Sequence, residues 1–202
     1  MGKVLTPKRI AIFGAIVSLI SFSYKLTIAI LATSLVLIIA SIPALLIFIC
    51  KVFFVKNMHQ SRASKRKGYL AMAILTSLFV ITFLLFSVFK IGGIDITNQN
   101  RFEGWVAIVF IAFILVMFVL SLINLKGALD RSDLIVKGIR EITFVSALAD
   151  AVMIEEFVVR ILKAYTSLPN LDLVSAYSPL AIGILMSLVP IFMFIRFARY
   201  KP

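Results

Sequence analysis

Five ionisable side chains, Asp150, Glu155, Glu156, Arg160 and Lys163, lie within Ile142–Tyr165, ITFVSALADAVMIEEFVVRILKAY. That run is apolar enough and long enough to cross a bilayer, where each charge needs a partner or a water-filled space. Carboxylates at such depth do one of two things. They hold neighbouring helices through ion pairs, or they bind and release protons or cations. At 100° per residue Glu156, Arg160 and Lys163 share one helix face, and Glu156→Arg160 is an i, i+4 pair in the favourable order. Asp150 and Glu155 lie about 120° and about 100° from Glu156 around the helix. Ser146, Ala147, Ala149 and Ala151 fill the preceding turns with small residues that let other helices approach closely. These features put the charged helix inside a bundle, with Asp150 nearest mid-membrane. Asp150, Glu155, Glu156 and Arg160 are therefore the candidate ion, proton or buried polar site. No second apolar run offers an obvious partner, because the others are almost free of charge. A structural salt-bridge network is the favoured expectation.

Glu155-Glu156-Phe157-Val158-Val159-Arg160 resembles the glutamate-glutamate-three-residues-arginine motif of the CAAX-processing intramembrane proteases. In that family the resemblance implies a first glutamate that activates water and histidines on later helices that complete the site. His59, the only histidine, precedes the motif and lies in a basic stretch, so those partners are missing and the protease reading is rejected. Other chemistries lack their residues. There is no glycine-rich phosphate loop, no metal-ligand spacing and no Ser/His/Asp set, and the single Cys50 excludes an intramolecular disulfide. Neither enzyme, cofactor nor metal site is expected.

The 202 residues are 62% hydrophobic and only 15% charged, with mean hydropathy +1.11. An ordinary globular chain is about half apolar and about a quarter charged, so this is the composition of an integral membrane protein. Hydropathy predicts an all-α bundle of six transmembrane helices in a single domain. The spans are expected at about 7–24, 26–55, 69–90, 105–125, 142–165 and 179–197. The first begins near Pro7, with Lys8, Arg9 and Lys25 reaching the two interfaces, and its basic lead is read as an uncleaved start. Pro43 is expected to kink the second. Trp105 anchors the fourth at an interface. Lys126–Glu141 reads as an interfacial amphipathic helix with Ser132 as N-cap, running into the fifth span. Ser178 and Pro179 are expected to open the sixth.

The net charge of +12 is distributed unevenly. If both termini face the cytoplasm, the inner side collects Lys3, Lys8 and Arg9, then Lys51 through Lys67, Lys126 through Arg140, and Arg196, Arg199 and Lys201. Of the 21 lysines and arginines only Lys25, Lys90, Arg101, Arg160 and Lys163 remain elsewhere. The positive-inside rule accordingly places both ends in the cytoplasm, in the cell membrane. The densest basic run, with Lys56, Arg62, Lys65, Arg66 and Lys67, is expected to be a cytoplasmic loop against anionic lipid headgroups. Nucleic acid is not an expected partner. The function that fits is a non-enzymatic accessory or regulatory subunit binding lipids or a membrane partner. The alternative is a small ion- or proton-coupled transporter or channel using the acids of the fifth helix.

Overall fold

The computed structural model describes residues 7–31, 35–56, 61–92, 133–165 and 170–199, with 108, 111–116 and 118–119 between them. These residues are helical almost throughout, with no strand among them. Five helices have described ends: α1 Pro7–Leu31, α2 Leu35–Lys56, α3 Arg62–Ile91, α4 Leu134–Tyr165 and α5 Leu171–Arg199. Within α1, Gly14–Leu31 is apolar and long enough to cross a membrane, as are Arg62–Ile91 and Leu171–Arg199. These three helices suggest a membrane protein. Ile38–Phe53 of α2 is apolar but shorter. α4 has the length, about 48 Å at 1.5 Å per residue, but carries more charge than the others. Most of the expected fourth span, including Trp105, lies outside the described residues.

Several predicted boundaries move. α1 continues through Lys25 to Leu31, so the first helix does not end at Tyr24 as expected. The reason is burial: Lys25 is 2% exposed and ion-paired within the bundle. Arg62, Lys65, Arg66 and Lys67 are not loop residues. They form the first turns of α3, whose N-cap Ser61 accepts a hydrogen bond from the Ser64 amide at 3.4 Å. α5 opens at Leu171, eight residues ahead of Pro179, so both Pro179 and Pro190 lie inside it. Asn170 precedes it in the left-handed region (φ 75°), a conformation asparagine tolerates well, and its carbonyl accepts from Val174.

The N-terminal turns of α4 pack into the bundle on their apolar side. Leu134, Ile135, Gly138 and Ile142 are buried. Asp133 takes the capping role expected of Ser132, which lies outside the described residues. Its carboxylate accepts from the Ile135 amide at 3.0 Å and from Lys65 Nζ at 2.6 Å. Burial pushes this carboxyl up, but the Lys65 bond and charge and the backbone amides outweigh it and hold it below the usual carboxylate range.

α4 packs against α2, α3 and α5, and α1 packs against α2. Lys65 and Lys90 of α3 meet α4 at residues 133 and 156, so α3 and α4 run parallel; Arg196 meets Glu141, so α5 runs antiparallel to α4. The centre holds Tyr69, Phe83, Met153, Phe157, Met186 and Met193, all essentially inaccessible. Small residues bring the backbones together, among them Ala29, Ala40, Ala147 and Ala149. The outer faces of α3 and α5 are apolar: Leu78, Ile81, Leu85, Leu188, Phe192 and Ile195 are all about half exposed. Apolar surface of that extent suits lipid rather than water.

At Gly138 α4 packs tightly on α3. A Cβ there would meet Met72 Sδ at 2.8 Å and Tyr69 Cδ2 at 3.0 Å. Met72 can swing away, but Tyr69 is tied by its hydroxyl to Glu141. Gly138→Leu adds helix propensity of about 1 kcal/mol, yet overpacking costs about 1–3 kcal/mol and forces Tyr69 off its partner. The expected outcome is a lower unfolding temperature in mild detergent. An unchanged or higher value would contradict this packing.

Candidate functional site

α4 carries acidic groups from end to end, and its neighbours answer them with cations. Asp150 stands near the middle of the helix. Lys25 of α1 forms an ion pair with Asp150 Oδ1, the two side chains being 2% and 1% exposed. Among the described residues α1 and α4 make no close backbone approach, so the long lysine stem spans the gap between them. Ser21 lies one turn before Lys25 on the same face of α1. Its hydroxyl is buried, with no hydrogen-bond partner among the described residues.

About 9 Å along α4 from Asp150, Glu156 pairs with Lys90 near the end of α3. Lys90 also donates to Ser175 Oγ of α5 at 3.1 Å, so one ammonium joins three helices. Glu155 is turned about 100° from Glu156. Both its oxygens are shielded from solvent without a well-formed hydrogen bond among the described residues, and Ser178, Lys90 and Lys163 lie near. Farther out, Lys163 pairs with Asp172 at the start of α5. That pair is exposed and contributes little.

The series continues toward the basic end of the bundle. Glu141 accepts the Tyr69 hydroxyl at 2.7 Å and pairs with Arg196 of α5. Asp133 and Lys65 close the row. α4 is therefore joined to α3 at three levels, to α5 directly at two and to α1 at one. α2 takes a different part. Its Lys51 donates to the Gly14 carbonyl and to Ser18 Oγ of α1, each at 2.9 Å.

The predicted site residues are not gathered into one cavity. Asp150 points to α1, whereas Glu155 and Glu156 point to α3 and α5. The Arg160 side chain, and with it the expected Glu156–Arg160 pair, lies outside the described residues; among the described residues Glu156 is paired with Lys90. Of the basic run, Lys65 is engaged by Asp133, Arg66 lies over the Phe197 ring at 4.5 Å, and Arg62 and Lys67 are exposed. The Lys56 side chain lies outside the described residues.

The expectation that no other apolar run supplies a partner is overturned. Lys25 and Lys90 are those partners, Lys25 within an apolar run and Lys90 at the end of one. A signal for Lys25 was present. No glycine or proline flanks it to mark a turn, and a lone lysine within an unbroken apolar run needs an acid nearby. Tyr69, Glu141 and Arg196 left no such trace, since their meeting depends on how α3, α4 and α5 align. Comparison with known protein families, with characterised proteins and with solved structures finds no match to this chain.

Removing one partner of a buried pair strands the other, at about 3–5 kcal/mol. Lys90→Gln leaves Glu156, 6% exposed, without its cation, and most of the folded, monodisperse protein is expected to be lost on detergent extraction. Glu155→Gln removes no direct ion pair and is expected to stay within about 1 kcal/mol of the parent in a denaturant titration. Equal losses for the two variants would show that the network does not depend on the Lys90–Glu156 bond.

Proposed function

We propose that the chain is a non-catalytic, six-span protein of the cell membrane, with both termini cytoplasmic, acting as an accessory or regulatory subunit for another membrane protein. The parallel course of α3 and α4 supports the span number. The chain leaves α3 at one end of the bundle and enters α4 at the other, and a further span between them would make the return. The helical residues 111–116 belong to that return, and Phe113 lies against Tyr24 of α1 at 4.1 Å between ring centroids. Orientation is supported by the gathering of Arg62, Lys65, Arg66, Lys67, Lys137, Arg140, Arg196 and Arg199 at one end.

One observation carries the functional reading. Asp150 and Glu156, the two most buried acids of α4, are each held by a lysine from a different helix. Charges engaged in this way give cohesion to the bundle and are poorly placed to load and unload an ion. The outer surface left for a partner is apolar, as helix–helix recognition within a bilayer requires.

The second reading, an ion- or proton-coupled transporter, draws on the shielded Glu155 oxygens and on the Ser21 hydroxyl, one turn from Lys25 and unbonded among the described residues. Proteoliposome flux of protons and alkali cations, measured with cellular abundance for Asp150→Asn, Glu155→Gln and Glu156→Gln, separates the two. The proposal expects no flux from the parent and reduced abundance for Asp150→Asn and Glu156→Gln. Flux from the parent that disappears in a variant of normal abundance would establish the transporter.

A further inference from the structure

The first two turns of α3 are built against their own helix dipole. Arg62, Lys65, Arg66 and Lys67 occupy them with no acid in the first turn, although the N-terminal end of a helix carries partial positive charge and favours anions. Among the described residues one carboxylate, that of Asp133, reaches this group, and it engages Lys65 alone. Arg66 is fixed in place, half-buried, by Phe197 of α5. The neighbouring end of α5 adds Arg199, exposed and likewise facing no described acid.

Helical spacing connects these cations to the apolar exterior. On α3, Lys67 heads a row that continues at intervals of three and four through Ala71, Ile74 and Leu78. On α5, Arg199 heads the row Ile195, Phe192 and Leu188. Each exposed apolar row therefore ends in a cation at the same end of the bundle. A small soluble anion would satisfy the charges and leave the rows unused, and an apolar ligand would do the reverse. An amphipathic anion with long hydrocarbon chains satisfies both.

We infer that the α3–α5 face seats an anionic phospholipid, its phosphate held by Arg66, Lys67 and Arg199 and its acyl chains laid along the apolar rows beneath. The inference rests on the membrane-bundle reading above and sharpens it. Lys65, already neutralised by Asp133, is no part of the seat, whereas Arg199, from the far end of the chain, is. Seating lipid there also offsets the charge crowded at the start of α3, so the bound lipid fastens that helix end to α5.

The test uses the full chain reconstituted in nanodiscs of equal phosphatidylglycerol and phosphatidylcholine, with retained lipid counted by native mass spectrometry. Phosphatidylglycerol is expected to be enriched on the protein. Its affinity should fall about fivefold for each of Lys67→Gln and Arg199→Gln. Both positions are exposed, so these variants are expected to fold as the parent does, and the charge-keeping Lys67→Arg and Arg199→Lys should restore the parent behaviour. Excess soluble glycerol phosphate should leave the enrichment intact. Equal retention of the two lipids, enrichment unaltered in both glutamine variants, or full displacement by glycerol phosphate would each overturn the lipid seat. Failure of the chain to enter nanodiscs of either lipid would instead overturn the membrane-bundle reading.

Discussion

A charge in hydrocarbon costs several kcal/mol unless something neutralises it, and that penalty governs how these helices are arranged. Asp150 lies near the middle of α4, as far from either end as the helix allows, and Lys25 meets it there. Apolar contacts alone would leave the helices free to slide or rotate, since lipid tails are about as good a partner for leucine as another helix is. The ion pair removes that freedom. A one-residue shift of α1 would carry Lys25 away by about 100° around the helix and leave two unpaired charges out of reach of water.

The same logic recurs above and below. Glu156 draws Lys90 and, through it, Ser175; Glu141 draws Tyr69 and Arg196. Because these levels are spread along α4 and turned to different sides, they orient α3 and α5 as well as holding them. Small residues complete the arrangement by letting the backbones come near enough for the side chains to meet, most closely at Gly138 and at Gly183, where a Cβ would meet Leu84 Cδ2 at 2.7 Å. α1 differs from its neighbours. It packs along α2, which also bonds it through Lys51, and reaches α4 through Lys25.

Much of this was legible in the residues. The density of charge in Ile142–Tyr165, against apolar runs elsewhere, marked α4 as the helix needing partners, and the small residues ahead of Asp150 marked its tight faces. What could not be read was which residue meets which, because alignment of helices distant in sequence is settled by packing over their whole length. Lys25 shows how this misleads. A lysine between two apolar runs looks like the end of a span, and only the continuity of α1 through it reveals an interior ion-pair partner. Arg62–Lys67 misled in the opposite direction: the composition of a loop proved to be the start of a helix, since arginine and lysine are good helix formers once Ser61 caps the turn. Ser178–Pro179 was a sound start signal that the fold bypasses, with α5 beginning a further two turns back at Leu171.

The central claim is that the mid-bundle pair fixes α1 against α4, and a double-substitution cycle on Lys25 and Asp150 addresses it most directly. Unfolding free energies would be compared for the parent, Lys25→Met, Asp150→Leu and the two together. If the pair holds the helices as described, each single change strands a buried charge and costs about 3–5 kcal/mol, while the double change, with two apolar side chains in its place, recovers most of that loss. Single changes that cost less than about 1 kcal/mol, or a double change that costs the sum of the two, would contradict it.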